Sequence, residues 1–286
     1  MQVRQYLYLM RLDKPIGILL LLWPTLWALW LAAQGFPDAK ILMIFISGVI
    51  LMRSAGCVMN DIFDRGFDGR VARTRTRPLA AGTVSVKQAF ALAAVLAAIA
   101  FALVLFCNAL TILLSLAGAV FAVTYPLLKR VTHLPQAGLG VAFSWGVPMA
   151  FAAVTGQISA SAWLLFAAAA LWPVIYDTMY AMTDRADDIK IGVKSTAILF
   201  GNHDVLIVGL LMMIFLTLLF ITGNIFHLHT IYFFSLFVAA TLFARQLWLI
   251  HTRQPAKCFQ AFLENNWVGM IIFIGILGSM QQGTGI

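Results

Sequence analysis

Seven of the eleven acidic residues in this 286-residue chain stand in two groups: Asp61, Asp64 and Asp68, preceded by Asn60, and Asp177, Asp184, Asp187 and Asp188. Carboxylates held within a few ångströms of one another cannot all stay ionised without a compensating cation. Magnesium supplies that compensation with oxygen ligands, commonly one or two carboxylates together with the phosphate oxygens of a substrate. Two such clusters opposed across a cavity suit a diphosphate bridged by two magnesium ions. Arg73, Arg77, Lys129, Arg130, Lys190 and Lys194 are the cations placed to take up the remaining anionic charge. At 100° per residue, Arg53, Asn60, Asp64 and Asp68 fall on one stripe of a helix, and Asp177, Tyr180, Asp184 and Asp188 on one stripe of another.

The elements that must carry these stripes are membrane helices. The chain is 62% hydrophobic and 10% charged, too apolar to cover a water-soluble globule. Apolar runs recur at 16–33, 41–59, 89–106, 109–128, 139–154, 160–182, 205–221, 231–249 and 267–280, each near the ~20 residues a helix needs to cross hydrocarbon. A barrel would require alternating polarity, which these runs lack, so the fold expected is an all-α, multi-pass bundle of about nine transmembrane helices forming a single domain over residues 1–286. The ninth run is short and rich in glycine, which leaves eight spans plus an interfacial segment as the alternative. The first run, with Trp23, Pro24, Trp27 and Trp30, reads as a retained span and not a cleaved signal.

All nineteen Lys and Arg except Lys40 and Arg53 fall in the N-terminal segment or in the connections that follow even-numbered spans. The positive-inside bias puts those connections and the N-terminus in the cytoplasm. The formal charge of +8 is therefore a topology signal, and no nucleic-acid partner is expected. Both acidic groups end spans two and six on that same face. Four helices separate them, so the two halves read as parallel pseudo-repeats around a central cavity. Arg53 and Asp177 lie inside spans, where a charge costs about 2.5–3.5 kcal/mol, and both are expected to face a protein-lined cavity.

Asn60-Asp61-Ile62-Phe63-Asp64-Arg65-Gly66-Phe67-Asp68 with the following Arg73 to Leu79 resembles the first signature of the UbiA superfamily of intramembrane prenyltransferases. Tyr125 to Lys129 matches its Y-x-x-x-K element, and Tyr176-Asp177 through Asp184-Arg185-Ala186-Asp187-Asp188 its second aspartate signature. The flanks at Arg11 to Gly17, Leu22 to Ala28, His133 to Gln136 and Lys190 to Ala197 further resemble the bacterial branch that prenylates 4-hydroxybenzoate in ubiquinone synthesis.

The resemblance implies an enzyme of the inner membrane, magnesium as cofactor, and a polyprenyl diphosphate and 4-hydroxybenzoate as partners alongside the lipid bilayer. It implies Asn60, Asp64 and Asp68 at one magnesium, Asp184 and Asp188 at the other, and Arg73, Arg77 and Lys129 on the diphosphate. Arg53, with Arg130 as competitor, meets the acceptor carboxylate. Tyr125, Tyr176 or Tyr180 offers an aromatic face to an allylic cation, and Asp177 serves as base or phenol orienter. Relatives with another acceptor, such as homogentisate, dihydroxynaphthoate or haem, are the near alternative. A secondary transporter with Arg53 and Asp177 as coupling charges is the distant one, disfavoured because both clusters sit at an interface and not at midplane.

Other features read as packing. His227 and His229 have metal-like spacing but lie away from the acidic face. Trp23, Trp27 and Trp30 form a helical stripe expected to be packing or interfacial belt, and the methionines around Met212 are expected to face lipid. Cys57, Cys107 and Cys258 are too scattered for a disulfide or zinc pattern. Nucleotide-loop and serine-hydrolase motifs are absent.

Overall fold

The computed structural model describes residues 2–68, 74 and 76–282, and among them no strand occurs. The helices run in chain order as α1 Gln2–Leu9, α2 Ile16–Ala33, α3 Ala39–Asp68, α4 Val86–Val104, α5 Ala109–Val131, α6 Pro135–Ser144, α7 Gly146–Thr155, α8 Ala160–Ile191, α9 Thr196–Phe200, α10 Asp204–Ile225, α11 Thr230–Ile250 and α12 Pro255–Gln282. Among the described residues nine segments are long and apolar enough to cross a membrane: α6 with α7 makes one, α9 with α10 another, and α2, α3, α4, α5, α8, α11 and α12 the rest. The protein is a multi-pass membrane protein.

Local chemistry fixes the ends. Ser85 and Gln88 close a capping box at α4, Asn108 caps α5 through the Thr111 N–H, and Ser159 and Ser195 cap α8 and α9. The fifth crossing breaks between Ser144 and Gly146. Pro148 has no N–H to return to the Ser144 carbonyl four residues back, which accounts for the interruption there. α3 and α8, at 30 and 32 residues, outrun the membrane requirement. Their surplus turns carry the aspartates beyond the apolar band.

The ninth crossing is a full span of 28 residues, which removes the alternative of an interfacial segment. Asn265 and Asn266 stand just before the apolar run in sequence yet lie within the helix. They bind indoles: Trp172 donates to Asn265 Oδ1 at 3.0 Å and Trp23 to Asn266 Oδ1 at 2.9 Å. Trp27 donates to the Gly269 carbonyl at 3.1 Å. The tryptophan stripe is thus packing, with Trp27 fully buried against Trp172 and Phe215. Met212 does not face lipid. It is 2% exposed, while its neighbour Met213 is 59% exposed, because the inward face of α10 continues through Val208, Met212, Phe215 and Leu219.

Candidate active site

Several apolar crossings and their polar ends build one large cavity of about 790 Å³. From α3 it takes Arg53, Cys57, Asn60, Asp61 and Asp64; from α8 it takes Tyr176, Asp177, Tyr180, Asp184 and Asp188; from α5 it takes Tyr125 and Lys129. Both acidic stripes therefore face one space from one side of the bundle, and α3 and α8 run parallel, as the four-helix separation requires. Tyr8, Arg11 and Lys14, Thr74 and Thr76 to Pro78, and Val193 to Ser195 close the rim, so the N-terminal segment and the connections after α3 and α8 share one face.

The cations and acids pair before any ligand arrives. Lys129 Nζ lies against both carboxylate oxygens of Asp64, and Asn60 Nδ2 donates to Asp64 Oδ2 at 2.9 Å. Asp61, 2% exposed, receives Arg11 Nη2 on both oxygens at 2.8 and 2.9 Å and Arg77 Nη1 at 3.1 Å. A carboxylate so enclosed is stable only with such partners. Asp61 therefore holds the N-terminal segment and the Arg77 loop against α3, and Arg77 reaches the cavity as a shared donor. Arg11 takes this role with φ +58, a left-handed conformation uncommon outside glycine.

Some expected members are elsewhere. Arg130 is exposed and absent from the cavity lining; its guanidinium donates to the Phe63 carbonyl at 2.6 Å. At the end of α5, residues 129 and 130 point in different directions, so only Lys129 can enter. Lys190 pairs with Asp187 on an exposed helix face, and Lys194, which lines the rim, donates from Nζ to the Val131 carbonyl. The side chain of Asp68 and the whole of Arg73 lie outside the described residues.

Deeper in the cavity are polar atoms of another kind. Arg53 Nε and Tyr176 Oη are buried without a hydrogen-bond partner among the described residues, a costly state that a polar ligand would relieve. The Arg53 guanidinium also lies over the Phe143 ring, 5.2 Å from its centroid. Arg53, Tyr125 and Phe143 are shared with a second, apolar cavity of about 210 Å³ that continues between α2, α3, α4, α5 and α7. Its lining reaches from Gly56 to Ile44 along α3, twelve residues and hence about 18 Å of helix rise. Position in sequence could not reveal Phe143 or Gln136 as members of the site. The only hint was the His133 to Gln136 flank.

Among the described residues no group of three His, Cys, Asp or Glu is close enough to hold a metal alone. The donors are carboxylate and amide oxygens that pair off from two helices. That set fits magnesium sharing its coordination with phosphate oxygens and does not fit a closed protein cage.

The sequence pattern of the UbiA prenyltransferase family matches residues 21–274. A 4-hydroxybenzoate octaprenyltransferase from Coxiella burnetii is 55% identical over 276 residues, which is 96% of each chain. Among solved structures, a UbiA homologue from Aeropyrum pernix superposes with TM-score 0.82 at 27% identity, covering 92% of this chain and 98% of that one. A UbiA homologue from Archaeoglobus fulgidus bound to GPP and Mg2+ superposes with TM-score 0.68 at 16% identity over 96% and 99% of the two chains, and so shares the fold. With its two aspartate helices opposed across one cavity and this likeness along nearly its whole length, the chain belongs to the UbiA prenyltransferase family.

Proposed function

We propose that this protein transfers a polyprenyl group from polyprenyl diphosphate to the ring carbon ortho to the hydroxyl of 4-hydroxybenzoate, releasing diphosphate, as a step of ubiquinone synthesis. The observation that carries the reading is the cavity in which Asn60 and Asp64 face Asp184 and Asp188, with Lys129 and Arg77 between and an apolar extension beneath. Relatives more than half identical over nearly the full chain that carry the 4-hydroxybenzoate octaprenyltransferase name support this acceptor. The basic rim belongs to the cytoplasmic face of the bacterial inner membrane, on the charge bias of its connections.

Asn60, Asp64 and Asp68 would hold one magnesium and Asp184 with Asp188 the other. Bound with the diphosphate, these ions supply Lewis-acid stabilisation of the leaving group. Lys129 and Arg77, already poised by Asp64 and Asp61, exchange part of those contacts for diphosphate oxygens and neutralise charge as the C–O bond breaks. The prenyl tail lies in the apolar cavity, whose walls keep water from the allylic cation. Tyr125 and Tyr180 present ring faces worth about 1–2 kcal/mol each to a desolvated cation.

Arg53 and Tyr176 bind the acceptor. The unpartnered Nε of Arg53 offers a charge-assisted hydrogen bond to the aromatic carboxylate, and Phe143 offers a ring surface beside it. Asp177 faces the same space and takes the proton that leaves the ring carbon when aromaticity returns. A panel of acceptors with one prenyl donor tests the assignment. Efficient turnover is expected for 4-hydroxybenzoate and weak turnover for homogentisate or dihydroxynaphthoate; the reverse order would overturn it.

A further inference from the structure

The polar cavity and the apolar cavity meet at three side chains: among the described residues only Arg53, Tyr125 and Phe143 line both. On the reading of function given above, the diphosphate binds among the aspartates of the first cavity and the prenyl tail fills the second. The C1 atom that joins diphosphate to tail then lies at these three residues. Two of them are aromatic, Tyr125 and Phe143, packed edge to face with centroids 6.3 Å apart. The third is a cation.

That cation is held in place yet left unbalanced. Arg11 and Arg77 pair with Asp61, and Lys129 pairs with Asp64. Among the described residues no carboxylate comes within ion-pairing distance of Arg53, and its Nε is buried without a hydrogen-bond partner. The guanidinium settles there because Gly17 has no Cβ, which would stand 2.5 Å from it, and it rests over the Phe143 ring at 5.2 Å from the centroid. Arg53 stands seven residues before Asn60 on α3, about 10 Å of helix rise. Its place is on the tail side of the breaking bond and not beside the diphosphate.

A bare positive charge at this point opposes the chemistry. Breaking the C1–O bond sends its electron pair to the diphosphate and leaves positive charge on the allylic carbons. At an effective dielectric of about 20, a second unit charge ~5 Å away slows such a step about a hundredfold. A carboxylate placed on the guanidinium cancels that repulsion, and the acid that supplies it brings the ring carbon that captures the cation.

We infer that Arg53 makes ionisation of the donor wait for the acceptor: while the guanidinium is bare the C1–O bond holds, and when the aromatic carboxylate neutralises it the bond breaks. The inference rests on the functional reading above and gives the acceptor carboxylate a use beyond binding. A donor bound alone is spared hydrolysis, in which a water oxygen bonds to C1 and loses a proton to leave prenyl alcohol and diphosphate. Acids are thereby selected over neutral phenols at the chemical step as well as at binding.

The experiment follows the C1–O bond itself, in the full-length protein in detergent with magnesium. A polyprenyl diphosphate carrying heavy oxygen at the bridging position scrambles the label into the other oxygens of the same phosphorus whenever the bond breaks and re-forms. Any cation caught by water appears as prenyl alcohol, so the two rates together measure ionisation. Benzoate carries the carboxylate but lacks the hydroxyl that activates the ring; phenol is the converse. Wild-type protein should ionise the donor about a hundredfold faster with saturating benzoate than alone, and phenol should have no such effect. With nothing added, R53M should ionise the donor about a hundredfold faster than wild type, a gain that misfolding cannot produce, while R53K keeps the charge and stays slow. If a variant fails to accumulate, the wild-type comparison with benzoate decides. Prenylated 4-hydroxybenzoate formed by a wild-type enzyme indifferent to benzoate, or an R53M no faster than wild type, would overturn the role of the Arg53 charge alone. A wild-type enzyme that forms no prenylated 4-hydroxybenzoate would overturn the functional reading and this role with it.

Discussion

Gly17 on α2 lies against the guanidinium of Arg53 on α3 so closely that a Cβ at residue 17 would stand 2.5 Å from both Nε and Nη2. The absence of a side chain is therefore what lets Arg53 rest at the junction of the polar and apolar cavities. G17A should push the flexible guanidinium aside without unfolding the protein. Its acceptor KM should rise about tenfold, matching loss of part of a charged hydrogen bond. R53A should raise it at least as much, and adding G17A to R53A should change nothing further, since both act through one contact. Additive effects in acceptor titrations would place Gly17 and Arg53 in separate roles.

Asp64 and Asp184 differ in their partners but share a cavity. D64A leaves Lys129 without its carboxylate, and D184A removes a ligand from the facing helix. Each should lower turnover by a hundredfold or more at saturating magnesium, the usual cost of removing a group that stabilises transition-state charge, with normal accumulation in the membrane. Retention of a tenth of wild-type turnover by either variant would remove that residue from the ion site.

Gly118 on α5 faces Trp145, with a Cβ there placed 2.8 Å from Cδ1 of the indole. Trp145 cannot retreat readily: its N–H donates to the Leu114 carbonyl at 2.8 Å, and its ring meets Phe121 edge-on at 4.7 Å. A leucine at 118 must therefore project into the apolar cavity. G118L should cut kcat/KM about tenfold for long polyprenyl donors while sparing dimethylallyl diphosphate. A donor series assayed with one acceptor reads this directly, and equal losses for all donors would place the tail elsewhere.

Away from the chemistry, Asp204 is fully buried and receives Arg185 from α8 and Arg253 from the connection before α12. These hydrogen bonds hold the Arg253 guanidinium above its ordinary pKa. D204A should lower stability by about 2 kcal/mol. That is less than the cost of stranding two fully buried charges, because Arg253 keeps 39% of its side chain in solvent. Thermal inactivation in detergent measures it; an unshifted transition would mean the arginines find other partners.

The fold was largely legible because bilayer physics leaves few choices: long apolar runs must be helices, and the placement of Lys and Arg orders their ends. The stripes through Arg53, Asn60 and Asp64 and through Asp177, Tyr180 and Asp184 were also legible, since helical periodicity converts spacing into a shared face. What could not be read was which way a side chain turns at a helix end. Lys129 and Arg130 are adjacent in sequence, yet one enters the cavity and the other binds the Phe63 carbonyl outside it. Polar residues inside spans misled in a related way. The ninth apolar run is bounded by Asn265 and Asn266, whose indole partners lie some 90 and 240 residues distant in the chain, and no local pattern encodes such pairs. Gln136 was hidden for the same reason, as its amide oxygen accepts from the Thr196 backbone, 60 residues further along.

The central claim, that opposed aspartates on α3 and α8 bind a prenyl diphosphate through magnesium and direct its tail onto an aromatic acid, is tested most directly by product mass. Purified protein given polyprenyl diphosphate and 4-hydroxybenzoate should yield the acid heavier by one prenyl group less one hydrogen when magnesium is present, and unmodified acid when it is chelated. Unmodified acid under both conditions, or the prenylated acid formed equally well after chelation, would contradict it.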